Sequence, residues 1–465
     1  MSSERLHPAA IAVLALNALR EAAFPIVILF GASIAGRGLD TAALQRSALY
    51  LVLGVAIASL MGYLRWRSTS YRVDEQGVHF KTGIVSTKQT TVPLSRIQGL
   101  DTVAGPVQRL FGVVALAVQS AGGGSKGEIV LEAVGPEAVE RIRAAVGDPR
   151  PEVAEAPAPI ERRLGRRELV VAALTAGQLG VVLPVLAAST QLFGNVISSE
   201  RDIKGASRLL PDTPGGWELA LAGLLLAAWA LSALGTIVSF AGFAVARDGD
   251  RLHIRRGLLQ RSDAVVPVRR IHAVRVVEGV LRRPFGLATL RLEVAGYAEE
   301  RSAARTLYPL LPRAEVAAFL AELLPELADE PTGLTAPPAR AARRYVLPPA
   351  LVGLIAGGGA CLLVPDASPW PLVLAPLLAL NGWWTFKAAG WRLRDGRLAM
   401  RSRMLASTTL LTPAARLQQH ATAQNPFQRR AGLADLAVAV GKGGRARVRH
   451  LEAPVAAELW ERLRR

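Results

Sequence analysis

Cysteine is all but missing. Cys361 stands alone among 465 residues, which excludes an intramolecular disulfide and gives no sign of an oxidising compartment. The six histidines, His7, His79, His253, His272, His420 and His450, form no His-x-x-x-His pair and have no cysteine partners. A metal site of familiar spacing is therefore absent. Gly122 to Lys126 and Gly441 to Gly444 look like phosphate loops at a glance. Neither meets Gly-x4-Gly-Lys-Ser/Thr, and both fall where a turn between strands is expected. The nucleophile elbow Gly-x-Ser-x-Gly does not occur. The expectation is a protein with no enzyme activity, no metal and no cofactor. Acidic residues are also scarce, 37 against 55 Lys and Arg, for a formal net charge of +18.

What is abundant is apolar sequence, 51% of residues, gathered in blocks. Six runs carry few or no charges: Pro8–Gly36, Ser47–Leu64, Leu169–Ser199, Leu219–Ala246, Tyr345–Pro365 and Ala367–Phe386. Spanning the hydrocarbon layer takes roughly 20 helical residues, so the runs predict an integral membrane protein with six transmembrane helices in three hairpins. Only Arg37, Arg46, Arg201, Lys204 and Arg208 fall in the loops within those hairpins. Nearly all other basic residues follow the hairpins. The positive-inside rule then places both termini and the polar segments on the cytoplasmic side of a bacterial cytoplasmic membrane. The positive charge reads as topology and attraction to the anionic leaflet, and nucleic acid is not an expected partner. No cleavable signal is expected, because the first apolar run lacks a small-residue cleavage site before a polar region.

A fragment recurs after each hairpin: Pro93, Arg96 and Gly112; Pro267, Arg270 and Gly286; Pro413, Arg416 and Gly432. The arginine-to-glycine spacing is the same in all three, which makes the chain an internal repeat. The predicted division is hairpin 1–65, module 66–147, linker 148–167, hairpin 168–242, module 243–327, linker 328–343, hairpin 344–389 and module 390–465. Within each module, alternating residues flank a turn in Tyr71–Phe80, Phe243–Ile254 and Trp391–Met400, a hairpin pattern. Another alternating strand follows each repeat glycine, and helices open near prolines at Pro136–Val146, Pro312–Leu327 and Pro454–Arg464. Each module is expected to be a small antiparallel β barrel or sandwich with a C-terminal capping helix, making the chain an α+β membrane protein.

The string Tyr71–Asp74, Gly77, Gly83, Pro93, Arg96-Ile97-Gln98, Gly105-Pro106 and Arg109-Leu110-Phe111-Gly112 resembles the bacterial pleckstrin-homology-like domain of paired-span membrane proteins, the DUF304 or bPH2 type. Copy two matches through Asp248, Gly257, Pro267, Arg270-Ile271-His272, Gly279 and Arg283-Pro284-Phe285-Gly286. Arg5-Leu6-His7-Pro8 resembles the opening of multi-copy, YdbT-like members. Copy three is degenerate, with Arg403 where Gly83 and Gly257 stand and Asn425 in place of Gly105 and Gly279. The resemblance implies PH-like folds and a direction toward envelope stress and antimicrobial-peptide tolerance. It also implies partners among anionic lipid, a protein of the same domain type, or the chain itself.

Three groups of residues are candidate sites. Arg96, Arg270 and Arg416 carry guanidinium forks suited to a lipid phosphate or a carboxylate. They serve equally as anchors for a neighbouring loop carbonyl. With Pro93, Pro267, Pro413, Gly112, Gly286 and Gly432 they read as a fold signature. Basic residues beside the hairpins, Arg65, Arg67, Arg162, Arg163, Arg166, Arg167, Arg343 and Arg344, are candidates to meet lipid headgroups or simply to set topology. Arg20, Glu21, Gln178 and Asn381 are polar groups inside apolar runs. They fit a polar track for a transporter or lipid-handling protein, an interfacial first helix, or an Arg20–Glu21 pair on a tilted helix.

Overall fold

The computed structural model describes residues 4–19, 41–74, 76–83, 86–120, 129–146, 160–176, 214–294, 305–330, 332–363, 370–440 and 444–464. The chain opens with β1 (Glu4–Arg5), the short helix α1 (Ala10–Leu19) and helix α2 (Thr41–Ser68). Module one follows as β2 (Ser70–Asp74), β3 (Gly77–Thr82), β4 (Lys88–Pro93), β5 (Ile97–Ala104), α3 (Pro106–Leu110), β6 (Val114–Ser120), β7 (Ile129–Val134) and α4 (Pro136–Val146). Next come β8 (Ile160–Arg163), α5 (Arg166–Leu174) and α6 (Pro214–Phe240). Module two has β9 (Ala244–Asp248), β10 (Arg251–Arg256), β11 (Arg261–Pro267), β12 (Ile271–Glu278), β13 (Leu287–Val294), β14 (Thr306–Pro312) and α7 (Val316–Leu323). Helices α8 (Ala342–Leu363) and α9 (Leu374–Ala388) lead to module three. It contains β15 (Gly390–Arg394), β16 (Arg397–Arg403), β17 (Ser407–Pro413), β18 (Gln419–Ala423), α10 (Pro426–Arg430), β19 (Leu433–Ala439), β20 (Arg445–Glu452) and α11 (Ala453–Arg464).

The described chain divides into two compact units, of which the first holds 1–157, 164–243 and 255–265. Here β1-β2-β3-β4 form one antiparallel sheet and β7-β6-β5 belong to a second. Leu100, Leu116, Ile129, Leu131 and Val78 fill the space between them, with Leu6, Ala10 and Tyr71 from the N-terminal side. Helix α4 closes this core with Val139 and Ile142, side chains whose burial contributes about 1.5–3 kcal/mol each. The N-terminal segment is held at both ends of its strand. Trp66 Nε1 donates to the Leu6 carbonyl at 2.9 Å, and Tyr71 Oη donates to Glu4, which also pairs with Arg141 at 2.7 Å. The outer edge of β5 takes β11 as an antiparallel neighbour, with Ala104 opposite Arg261 and Thr102 opposite Asp263.

The second unit holds 158–163, 244–254 and 266–465. Strand β8 pairs antiparallel with β9. A six-stranded sheet runs β14-β13-β12-β17-β16-β15, and a three-stranded sheet runs β18-β19-β20. The larger sheet is shared: β12 of module two pairs from Val274 to Glu278 with β17 of module three. Module three's own core gathers Leu398, Met400, Leu410, Leu436, Val438, Val448 and Leu451 beneath Leu459 and Leu463 of α11. Strand β8 and the isolated bridge Thr335↔Trp391 lie in stretches that read as linker in sequence. A few upstream residues therefore pair with the first strand of every module, as β1 does in module one.

The PH-like β modules fit, but six transmembrane helices in three hairpins do not. Among the described residues, one helix is long and apolar enough to cross a bilayer, Ala339–Leu362. The first run is described to residue 19 and forms the short apolar helix Ala10–Leu19, while α5 has nine residues. Within α6 the apolar stretch is Leu225–Phe240, and α9 has 15 residues ending near Lys387. Helices α5 and α9 fall short of the ~20 residues a span requires. Hydropathy counts apolar side chains in a window and does not see where helical hydrogen bonding starts and stops.

The repeat glycines show why the fragment recurs. Gly112, Gly286 and Gly432 have φ of 64°, 63° and 62°, and each turns the chain into the strand that follows. No heavy atom lies within 4 Å of a Cβ added at Gly286, so alanine there costs only backbone strain. At Gly257 (φ 104°) an added Cβ would stand 2.0 Å from the Gln260 carbonyl oxygen. Gly286→Ala is expected to lower stability by about 1–2 kcal/mol, within the range for a non-glycine residue held in a sparsely populated region. Gly257→Ala is expected to cost clearly more, and thermal melting of the two variants compares them directly.

Candidate functional site

One polar position is buried in every module, twelve residues after the repeat arginine: Gln108, Arg282 and Gln428. Gln108 accepts from the Gly105 N–H at 2.6 Å and donates to the Glu132 carbonyl at 3.1 Å. Arg282 donates to the Pro309 carbonyl at 2.9 Å, and burial brings its pKa down to about 10. Gln428 accepts from Asn425 N–H at 2.9 Å, and its backbone N–H donates to Asn425 Oδ1 at 2.7 Å. A polar residue here ties the short turn before β6, β13 or β19 to the body of its module. Sequence reading missed it, although glutamine recurs in two copies at one spacing from the arginine.

In module three this tie widens into a network. Gln428 Nε2 donates to Asp435 Oδ1 at 2.6 Å and to His450 Nδ1 at 3.0 Å. The His450 N–H donates to the same carboxylate at 2.8 Å, and Arg447 pairs with its other oxygen. The His450 ring stands edge-on to Tyr345 of α8, 5.1 Å between centroids, and Tyr345 Oη donates to the Arg449 carbonyl at 2.7 Å. Ala341, Tyr345, Ala389 and Leu433 make a small apolar cluster that fixes the start of α8 and the end of α9 on the module. Gly382 of α9 completes the joint, since a Cβ there would lie 2.3 Å from the Tyr345 carbonyl oxygen.

Beside this joint opens a cleft of about 1280 Å³. Seven arginines line it: Arg340, Arg343 and Arg344 at the start of the apolar helix, Arg403 at the end of β16, and Arg445, Arg447 and Arg449 on β20. Asp435 is the one carboxylate in the lining, and it is engaged by Gln428, Arg447 and His450. Arg403 lies over the Trp384 ring at 5.1 Å, and its Nε is buried without a hydrogen-bond partner. Leu347, Pro348, Pro349 and Val352 form the apolar wall. Both prolines sit inside α8 and remove two backbone donors from its early turns. A cationic end thus meets an apolar helix face, an arrangement that can hold an anionic amphiphile.

His450 gives the joint a pH dependence. Burial holds its pKa below the ordinary 6.5, while Asp435 raises it and Arg344, Arg449 and Arg447 lower it. The ring accepts at Nδ1 from Gln428, so the folded form is neutral. A depressed pKa contributes stability that is intact above the unfolded value and lost as pH falls through the lower folded value. Melting temperature is expected to drop below about pH 6.5, and His450→Gln is expected to flatten that acid limb in a pH series of thermal melts.

The sequence-derived candidates scatter. Arg343 and Arg344 join the cleft, as does Asn381, whose carbonyl accepts from Thr385 Oγ1 at 2.8 Å. Arg65 and Arg67 are exposed in the last turn of α2, and Arg166 and Arg167 are exposed at the start of α5. Arg162 pairs with Glu322 and Arg163 with Glu161. Arg20, Glu21 and Gln178 lie outside the described residues. Pro93, Pro267 and Pro413 each end a strand and open a single 3-10 turn closed by Arg96, Arg270 or Arg416. Arg416 donates to the carbonyl of Ile271, across the junction between modules three and two. Arg96 is exposed, with no hydrogen-bond or ion-pair partner among the described residues. The described residues contain no cluster of three or more His, Cys, Asp or Glu fit for a metal ion.

Two small sheets closed by a helix, used three times in tandem, define a repeat protein of pleckstrin-homology-like modules. The bacterial PH domain family matches residues 22–150, 181–327 and 346–465, and the chain belongs to that family. It is 27% identical over 412 residues to the UPF0699 transmembrane protein YdbT of Bacillus subtilis (strain 168), an alignment covering 84% of this chain and 83% of that protein.

Proposed function

We propose that this chain is a non-enzymatic, membrane-associated protein that grips anionic lipid through its third PH-like module, on the cytoplasmic face, in the upkeep of the cell envelope. The observation that carries this reading is the arginine-lined cleft at the foot of Ala339–Leu362. A lipid phosphate there would meet guanidinium groups that the protein's own acids leave mostly unsatisfied, including the buried Arg403 Nε. Its acyl chains would continue along Leu347 and Val352. The transmembrane character in the name of the Bacillus relative supports membrane association, and the excess of basic residues supports a cytoplasmic orientation for the modules. The experiment is retention of lipid by the purified full-length chain, exchanged into mixed phosphatidylglycerol and phosphatidylcholine and read by native mass spectrometry. Preferential retention of phosphatidylglycerol, weakening as salt rises, is the expected result. Equal retention of both lipids would remove the reading.

A further inference from the structure

Among the described residues, two of the edges through which modules join have no strand against them, and we propose that a second copy of this chain pairs them: β18 of one copy adds antiparallel to β4 of the next. The modules join by one rule, seen twice. The strand after the repeat arginine, β5 or β12, pairs with the strand before the next repeat arginine, β11 or β17. The register is the same both times. The residue eight places after one arginine faces the residue nine places before the next, Ala104 opposite Arg261 and Glu278 opposite Ser407. Neighbouring pairs follow in step, Val103 with Ser262 and Val277 with Thr408.

In this series β18 is the counterpart of β5 and β12, and β4 the counterpart of β11 and β17. Their sheets end on them: the first sheet terminates at β4 and the last at β18. Burial follows pairing. Strand β12 alternates buried and half-buried residues and β17 is largely buried. Gln419–Ala423 is exposed except for half-buried His420, and Lys88, Gln89 and Thr91 of β4 are exposed. Unpaired edges present a row of backbone donors and acceptors that templates another strand.

The side chains agree. Arg416 reaches across the paired junction to the carbonyl of Ile271, the residue after the previous arginine. Exposed Arg96 holds the same position on the open edge, and its matching acceptor is the carbonyl of Leu417 in the second copy. The inherited register sets Ala423 against Lys88, Thr422 against Gln89 and His420 against Thr91. Lys88 then faces alanine, with no like charge opposite it. The interface is heterologous, so each added copy presents the same pair of edges again.

Two differently tagged full-length chains, both carrying Cys361→Ser, test the pairing when co-expressed and oxidised in native membranes. One carries Lys88→Cys and the other Ala423→Cys. A second set carries Gln89→Cys and Thr422→Cys, so that either set reads the register if one variant misfolds. Directly opposed residues lie within disulfide reach, whereas Lys88→Cys with His420→Cys is three residues out of step and too far apart. The expected result is a shift of both tags into one disulfide-linked dimer for the matched sets and not for the mismatched one. Failure of both matched sets to link, or equal linking by the mismatched set, would overturn the proposal. Placing Lys88→Cys and Ala423→Cys in one chain should still yield linked multimers. Closure into an internally linked monomer would overturn it too.

Discussion

Asp435→Ala is expected to unfold module three at temperatures where the parent chain remains intact. The carboxylate is 5% exposed and accepts from Gln428 Nε2, from the His450 N–H and from Arg447. Alanine takes this acceptor from Gln428 and from the His450 N–H and leaves Arg447 without its ion pair. Removing one partner of a buried ion pair costs about 3–5 kcal/mol, and a buried donor without an acceptor costs about 1–3 kcal/mol. Arg447 is half exposed and recovers part of its loss through water, which places the total near about 4 kcal/mol, a large share of the ~5–15 kcal/mol that holds an ordinary domain. In a module of this size such a loss lowers the melting temperature by more than about 10 °C. Asp435→Asn keeps one acceptor oxygen and should lose roughly half as much. Hydrogen exchange on the full-length chain reads the effect locally, with Gly390–Glu452 losing protection before β2–β7. Unchanged protection across β19 and β20 would show that the network is dispensable.

Much of each module was legible because its signals are local. Alternation around Asp74–Gly77 and Asp395–Gly396 gave the hairpins that pair Tyr71 with Phe80 and Trp391 with Met400. The proline, arginine and glycine of the repeat marked a 3-10 turn and a left-handed residue. The junctions were not legible. Pairing of β12 with β17 joins residues more than 120 positions apart, and nothing in either strand names its partner. The same limit hid β8 and the Thr335 bridge, too short for any periodicity to show. The hairpin expectation went astray for a related reason: long apolar runs were equated with spanning helices, whereas α5 stops at Leu174, early in its run, and α9 has only 15 residues.

The cleft was half legible. Arg343 and Arg344 stood out beside an apolar run, while Arg445, Arg447 and Arg449 occupy alternate positions of a strand, one face of β20. Only the fold brings those two sets together. Module one shows the contrast: a smaller cavity of about 420 Å³ lies between α2, β3 and β7, lined by Arg65 but also by Glu132 and Val130. Of these two cavities, that of the degenerate third copy, whose glycine at the β16 end is replaced by Arg403, is the larger and the more cationic.

Removing four of the cleft arginines, Arg343→Ala, Arg344→Ala, Arg445→Ala and Arg449→Ala together, is expected to abolish the preference for anionic lipid with little loss of fold. None of the four side chains makes a hydrogen bond in the Asp435 network, and the Arg449 carbonyl that accepts from Tyr345 survives the substitution. A basic residue near an anionic surface contributes about 1 kcal/mol, so four amount to about 4 kcal/mol, near a thousandfold in affinity. Replacing Arg65, Arg67, Arg166 and Arg167 instead removes the same formal charge at exposed helix ends. If the cleft and not bulk charge selects the lipid, the first variant loses phosphatidylglycerol retention and the second keeps most of it, at equal melting temperature. Equal losses from both would reduce the arginines to a diffuse electrostatic role. Salt separates the two cases further. Exposed charges are screened over about 8 Å at physiological ionic strength while partly buried pairs are screened less, so retention in the cleft weakens with salt more gradually than retention at exposed helix ends.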